Sequence, residues 1–326
     1  MEIALKHTLL ALLLVSMSVL CAAGASAQND YPNKPVRLVD PYAPGGSTSV
    51  VSRVLAQRFQ QQTGQPMVVD YKPGAGSNIG SDLVAKAPPD GYTLLLGTSS
   101  LAINPQLYKG MPFEPQKDLL PVCLLIRAPN VLAVQASLPV SSLKELIAHA
   151  RANPGRLSYG SSGNGATNHL AMEMLKLQTG VDILHVPYKG GGEALQALLG
   201  GQTQLMFNPA STLAGQEKGG RLRMLAVASR KRVPGLDLPT LDEAGLPGFE
   251  ASVWFGLFAP SGTPPAVLSR INAEVNRALQ DRQLRDVLEK AGMEVLGGTP
   301  DELRQLLIND AARWGAVVKA ANVRLE

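Results

Sequence analysis

Short apolar runs alternate with stretches of helical periodicity along most of the chain. Residues 36–39 form a strand-length apolar run, and residues 50–62 repeat apolar side chains at near-helical spacing through Val50, Val51, Val54, Leu55 and Phe59. A strand over 66–71, a helix over 78–86 and an apolar strand over 92–96 complete a first cycle. Residues 119–134 are longer and mostly apolar, interrupted at Arg127 and Pro129, the pattern of a segment that crosses between two lobes. A second cycle follows, with a helix over 142–152 capped by Ser141 or Ser142, a strand over 157–160, a helix over 168–178, a strand over 183–186 and a helix over 193–199. Strands are predicted at 205–207 and 222–228, a return crossing at 254–258, and helices at 265–279, 283–290 and 300–319.

Apolar strands that each lead into a helix predict an α/β fold in which mostly parallel sheets are covered on both faces. The chain has 326 residues, at or beyond the size at which one hydrophobic core stops growing, so two lobes are expected. Ligands of such sheets sit beyond the carboxyl ends of the strands, which directs attention to the loops at 41–48, 97–104 and 160–168.

Two of these loops make the same chemical offer. Pro44-Gly45-Gly46-Ser47-Thr48 precedes a helix, so unpaired helix N–H groups, a close backbone approach and the hydroxyls of Ser47, Thr48 and Ser49 suit an anion. Ser161-Ser162-Gly163-Asn164-Gly165-Ala166-Thr167 repeats the arrangement in the second cycle. Neither loop brings a basic side chain, so neutral donors do the recognition; the alternative for each is a tight turn into a helix with no ligand. Lys189 beside Gly190 is a possible carboxylate partner at a strand end or a solvated lysine on a turn, and His169 either meets a ligand or is structural.

The first 27 residues change the picture of the mature protein. Lys6, an apolar run and Ala25-Ser26-Ala27 predict a signal peptide over 1–27, too short in its apolar part to span a membrane, with cleavage before Gln28. Leu20 stands where a lipid-anchoring box at Cys21 would need a small residue. Cleavage leaves Cys123 as the one cysteine, a buried apolar residue with no disulfide partner. A net charge of +4 without a Lys/Arg stripe, and aromatics at 5%, argue against nucleic acid.

Other chemistries lack their residues. In Gly74-Ala75-Gly76-Ser77-Asn78-Ile79-Gly80 the third glycine falls one place late for a dinucleotide loop, and Gly160-Ser161-Ser162-Gly163-Asn164 is not a nucleophile elbow because Asn164 takes the last glycine's place. His149, His169 and His185 form no metal-binding spacing. No cofactor, no metal and no catalytic residue is expected.

A family resemblance rests on Pro41-Tyr42-Ala43-Pro44-Gly45-Gly46, Lys72-Pro73-Gly74-Ala75-Gly76, Pro88-Pro89-Asp90-Gly91-Tyr92-Thr93, Asn104-Pro105, His185-Val186-Pro187-Tyr188-Lys189-Gly190 and Ala259-Pro260-Ser261-Gly262-Thr263-Pro264. These motifs, in order from Tyr31 to about Trp314, resemble the Bug family of exported solute receptors associated with tripartite tricarboxylate transporters. The resemblance implies a two-lobed periplasmic binding protein of the Venus-flytrap kind, with residues 28–127 and 252–326 in one lobe, 128–251 in the other, and hinge strands between them. It implies a small organic carboxylate as ligand. The contacts carried over are Tyr42, Ala43, Gly46, Ser47 and Thr48 with Ser99 and Ser100 from the first lobe, and Ser161, Ser162, Gly163 and Thr167 from the second, with Lys189 and Gly190 at the rim.

The family pattern Gly-Gly-x-x-Asp ends here in Ser49, and Asp40 stands before Pro41 where an apolar residue is usual. A ligand ammonium would lose its carboxylate partner at Ser49, so the expected ligand carries no cationic amine. The expected protein is a periplasmic monomer that closes over its ligand and hands it to membrane transporter subunits. The other readings are a ligand sensor for a signalling ectodomain and an exported enzyme acting on a small acid.

Overall fold

The computed structural model describes residues 31–233 and 235–323; the predicted signal peptide lies outside them. In chain order the elements are β1 (Val36–Asp40), α1 (Ser47–Thr63), β2 (Met67–Tyr71), α2 (Asn78–Ala85), β3 (Thr93–Thr98), α3 (Ser100–Leu107), α4 (Pro115–Asp118) and β4 (Leu119–Gln135). The second cycle comprises α5 (Leu143–Ala152), β5 (Leu157–Ser161), α6 (Thr167–Thr179), β6 (Ile183–Pro187), α7 (Gly191–Leu199), β7 (Leu205–Pro209), α8 (Ala210–Lys218) and β8 (Leu222–Val227). The return segment and tail are β9 (Ser252–Pro260), α9 (Pro265–Leu279), α10 (Arg282–Lys290), β10 (Glu294–Val295) and α11 (Pro300–Ala320).

The strand order β2-β1-β3-β9-β4-β7-β5-β6, with β8 and β10 also on β4, divides into two halves that share β4. In the first half β2, β1 and β3 run parallel, and β9 is antiparallel to both β3 and β4. In the second half β6, β5 and β7 run parallel, and β4 is antiparallel to β7 and β8. Each half is therefore a parallel triplet joined to an antiparallel crossing. The crossing strand pairs β9 over Leu119–Pro129 and the second half from Asn130 onward, which explains why it is so long and so apolar.

Separate cores lie on the two halves, and the C-terminal helix joins them. Leu303 and Leu307 of α11 pack with Trp254 and Phe258, whereas Trp314 and Val318, further along the same helix, enter the second half's core beside Leu132, Tyr159 and Phe207. Buried Asp310 lies between these anchors and accepts hydrogen bonds from both Trp254 Nε1 at 2.8 Å and Trp314 Nε1 at 3.1 Å. Cys123 is buried and free, its thiol pushed up to about 12 by burial.

Candidate functional site

Five strand-to-helix transitions converge where the halves meet. A cleft there is lined by Gly46, Ser47 and Thr48 at the start of α1, Ser100 at the start of α3, Ala166, Thr167 and Asn168 at the start of α6, Gly191 at the start of α7 and Pro209 before α8. Tyr42, Thr98, Asn130, Ser162, Asn208, Val253 and Phe255 complete the lining. The free space among these residues is about 40 Å³, room for roughly three ordered waters.

Side-chain caps divide the helices only in part, since α2, α4 and α9, away from the cleft, also lack them. Away from the cleft, α5, α10 and α11 are capped by the side chains of Ser142, Asp281 and Thr299. None of the five helices that point into the cleft has a side-chain cap. Their first N–H groups carry the positive end of each helix dipole and lack an intrahelical acceptor. No ionised side chain lines the cleft, so a carboxylate entering it meets oriented amides and hydroxyls rather than a lysine or arginine.

The polar side chains around this space hold one another in place. Tyr42 Oη is 2.8 Å from Ser100 Oγ and 3.2 Å from Thr98 Oγ1, and burial pushes the phenol's pKa up, keeping it neutral. Asn168 accepts from Ser162 N at 3.2 Å and donates to Ser162 Oγ at 2.8 Å, which fixes the second-half loop. Asn208 Nδ2 donates to the Gly191 carbonyl at 3.1 Å, and Asn130 Nδ2 donates to the Ala251 carbonyl at 3.1 Å.

Hydrogen bonds cross the cleft from one backbone N–H and two side-chain hydroxyls to backbone carbonyls of the second half. Ala43 N donates to the Lys189 carbonyl at 3.1 Å, Ser100 Oγ to the Gly165 carbonyl at 3.4 Å, and Tyr108 Oη to the Asn164 carbonyl at 3.2 Å. The halves are thus closed on each other.

Of the fourteen residues expected from sequence, Tyr42, Gly46, Ser47, Thr48, Ser100, Ser162 and Thr167 line the cleft. The other seven do not. Ala43 and Gly190 form the backbone contact between the halves. Ser49 Oγ accepts from Gly45 N at 3.1 Å, and Ser99 Oγ accepts from Trp254 N at 3.0 Å. Ser161 Oγ turns toward His185 Nε2 at 2.7 Å and accepts from Gly163 N at 3.1 Å. Gly163 and the exposed Lys189 border a separate space at the rim with Gly76 and Tyr108. Thr98, Asn130, Asn168, Gly191, Asn208, Pro209, Val253 and Phe255 are lining residues that the sequence reading did not single out, and Ala166 entered it only as part of the 161–167 loop.

The Ser161–His185 pair is the nearest approach to a nucleophile and base. Ser161 is fully buried, away from the cleft. His185 stacks at 4.1 Å on His169, which itself accepts from Gly165 N at 3.3 Å. Burial drives His169 down to about 4 and His185 to about 3, so both are neutral rings that support the loop. Among the described residues no cluster of metal-ligating side chains is present.

Asp40 is an ionisable group bonded to two lining residues, Tyr42 and Thr48. It is fully buried at the end of β1, and its carboxyl accepts from Tyr42 N and Ser52 Oγ, both at 3.2 Å. Burial raises it to about 7, against the opposing effect of hydrogen bonds from Thr48, Tyr42 and Ser52. A carboxyl with a raised folded pKa binds its proton more tightly in the folded than in the unfolded chain. Its contribution to stability is full below the unfolded value of 3.8 and is lost as pH rises through about 7. Asp40→Asn should therefore gain stability relative to the parent as pH increases from 4 to 8; thermal melts across that range test it, and a constant difference would refute it.

The family described as "Tripartite tricarboxylate transporter family receptor" matches residues 51–323. Protein BugT of Bordetella pertussis is 36% identical over 321 residues, 98% of each chain. The structure of R. palustris Rpa4515 with adipate superposes at a TM-score of 0.88 with 38% identity, covering 90% of this chain and 99% of that one. MatC of Rhodopseudomonas palustris, with bound malate, superposes at 0.84 with 33% identity, covering 88% of this chain and all of the other (100%).

Proposed function

Because the chain belongs to the tripartite tricarboxylate transporter receptor family, we propose that it captures a small organic carboxylate between its halves and hands it to membrane transporter subunits. The observation that carries this reading is the convergence of five helix N-termini without side-chain caps on a cleft without ionised lining. The carboxylates of adipate and malate in the two relatives accord with it. Lobe boundaries at 28–127 with 252–326, and 128–251, follow the division of strands around β4, with Trp314 and Val318 at the end of α11 packing in the second half's core, and the leader over 1–27 directs export to the periplasm.

Mechanism follows from the closed contacts. The ligand seats on Ser47, Thr48 and Gly46 of the first lobe, and the loop carrying Ser162 and Thr167 swings over it. Closure is favoured only by contacts that exist when the lobes meet, so ligand binding shifts the population toward the closed state. Transporter subunits then recognise the closed surface.

One property of the ligand follows. Ser49 satisfies Gly45 N instead of facing the cleft, and no carboxylate lines it, so an ammonium would be desolvated without a counter-ion. A thermal-shift screen of carboxylates followed by calorimetry tests it: succinate is expected to bind more tightly than aspartate. Tighter aspartate binding would sink the amine argument, and no stabilisation by any carboxylate would sink the receptor reading.

A further inference from the structure

The crossing strands have a second face, and it is built differently from the first. Side chains alternate along a strand, so Asn130, Val253 and Phe255 face the cleft while Arg127, Pro129 and Ser252 line a groove of about 730 Å³ on the other side. One wall of the groove is the stretch from Ser229 to Val233 in the second half; the other is α10 with the segment from Gly292 to Val295 in the first.

Five cationic side chains line this groove against three carboxylates. Three of the cations are engaged: Arg230 pairs with Glu250 at 2.7 Å, Arg285 with Glu289 at 2.9 Å and Arg232 with Glu243 at 3.0 Å. Arg127 and Lys231 form no ion pair among the described residues. Glu294 stands opposite Arg127 in the β4–β10 register but does not pair with it. The groove thus presents an exposed guanidinium on the crossing strand and an ammonium on the second half's wall, each without a partner.

We propose that this groove binds a compact multivalent oxyanion, bridging Arg127 and Lys231 from behind the crossing strands. A guanidinium offers two parallel N–H donors to one oxyanion group, and an ammonium serves as a point charge for a second. A single charge would satisfy only one of the two, so multivalent anions are preferred. The site is independent of whichever carboxylate occupies the cleft.

Pyrophosphate is the probe, titrated calorimetrically into the full mature chain at low ionic strength, with inorganic phosphate at the same pH as the weaker comparison. One pyrophosphate per chain is expected, with affinity falling by about tenfold or more in the Arg127→Gln/Lys231→Gln double variant and falling steeply with salt. Ser47→Asp, which places a negative charge in the cleft, should leave pyrophosphate binding unchanged. The proposal is overturned by absent binding, by equal affinity in the double variant, by phosphate binding as tightly as pyrophosphate, or by loss of binding in Ser47→Asp, which would locate the anion in the cleft.

Discussion

Gly76→Ala is expected to weaken carboxylate binding by about tenfold to a hundredfold while leaving the protein folded. Gly76 has φ +61° and lies against the second half, where an added Cβ would fall 2.6 Å from Tyr108 Oη and well inside van der Waals contact with the Asn164 carbonyl. Tyr108 belongs to the same half and its phenol can turn aside, but Asn164 is backbone of the opposite half, so that clash exists only when the halves are closed and cannot be relieved by a rotamer change. Opening removes it. The substitution therefore raises the free energy of the closed state relative to the open one, and affinity falls with the closed population.

A backbone effect must be separated from the clash. An alanine at positive φ costs roughly 1–2 kcal/mol wherever it occurs, and Gly180, at φ +68° with nothing within 4 Å of an added Cβ, bears that cost alone. Gly180→Ala should lower the melting temperature of the unliganded protein about as much as Gly76→Ala does and leave affinity as in the parent. Calorimetry with a carboxylate from the screen decides it. Equal affinity in Gly76→Ala and the parent would mean that the ligand-bound state is not the closed arrangement described here.

The order of strands and helices is legible because apolar runs and helical periodicity persist wherever an element has one face in the core. It fails where an element is buried nearly all round. Helix α3 is buried from Ser100 to Asn104 and exposes only Pro105 and Gln106, so it has too little polar face to set a period, and Pro105 inside it reads as a breaker. Helix α1 begins at Ser47 rather than near residue 50 because Ser47, Thr48 and Ser49 form its first turn, and small polar residues carry no periodic signal.

The cleft was partly legible for the same reasons. Gly-rich loops at strand ends mark where helix N-termini point, which is why seven expected residues line it. Sequence does not say which way a hydroxyl turns: Ser99 reaches back to Trp254 N, and Ser161 toward His185. Asn130 and Asn208 lie on buried strands 78 residues apart in sequence, and only the β4–β7 pairing brings their region together. Their polarity within apolar runs was the one available signal, since a buried amide in a strand needs partners that the strand itself does not supply.

Ser47→Asp should abolish carboxylate binding and at the same time raise thermal stability. Ser47 is the first residue of α1 and lines the cleft, and the helix has neither a side-chain cap nor an acidic residue in its first turn. A carboxylate there interacts favourably with the helix dipole, by about 0.3–1 kcal/mol. The same charge occupies the donors that the ligand uses and repels it. Two like charges about 4 Å apart at an effective dielectric near 20 cost about 4 kcal/mol, roughly a thousandfold in Kd. The two readouts therefore move in opposite directions, which a merely damaging substitution does not do. Ser47→Asn controls for size, since it adds the same bulk without charge and should lose much less affinity. If Ser47→Asp binds the carboxylate as the parent does, the anion is not held at the N-terminus of α1; if it binds weakly and also melts earlier, the loss is one of folding rather than of charge complementarity.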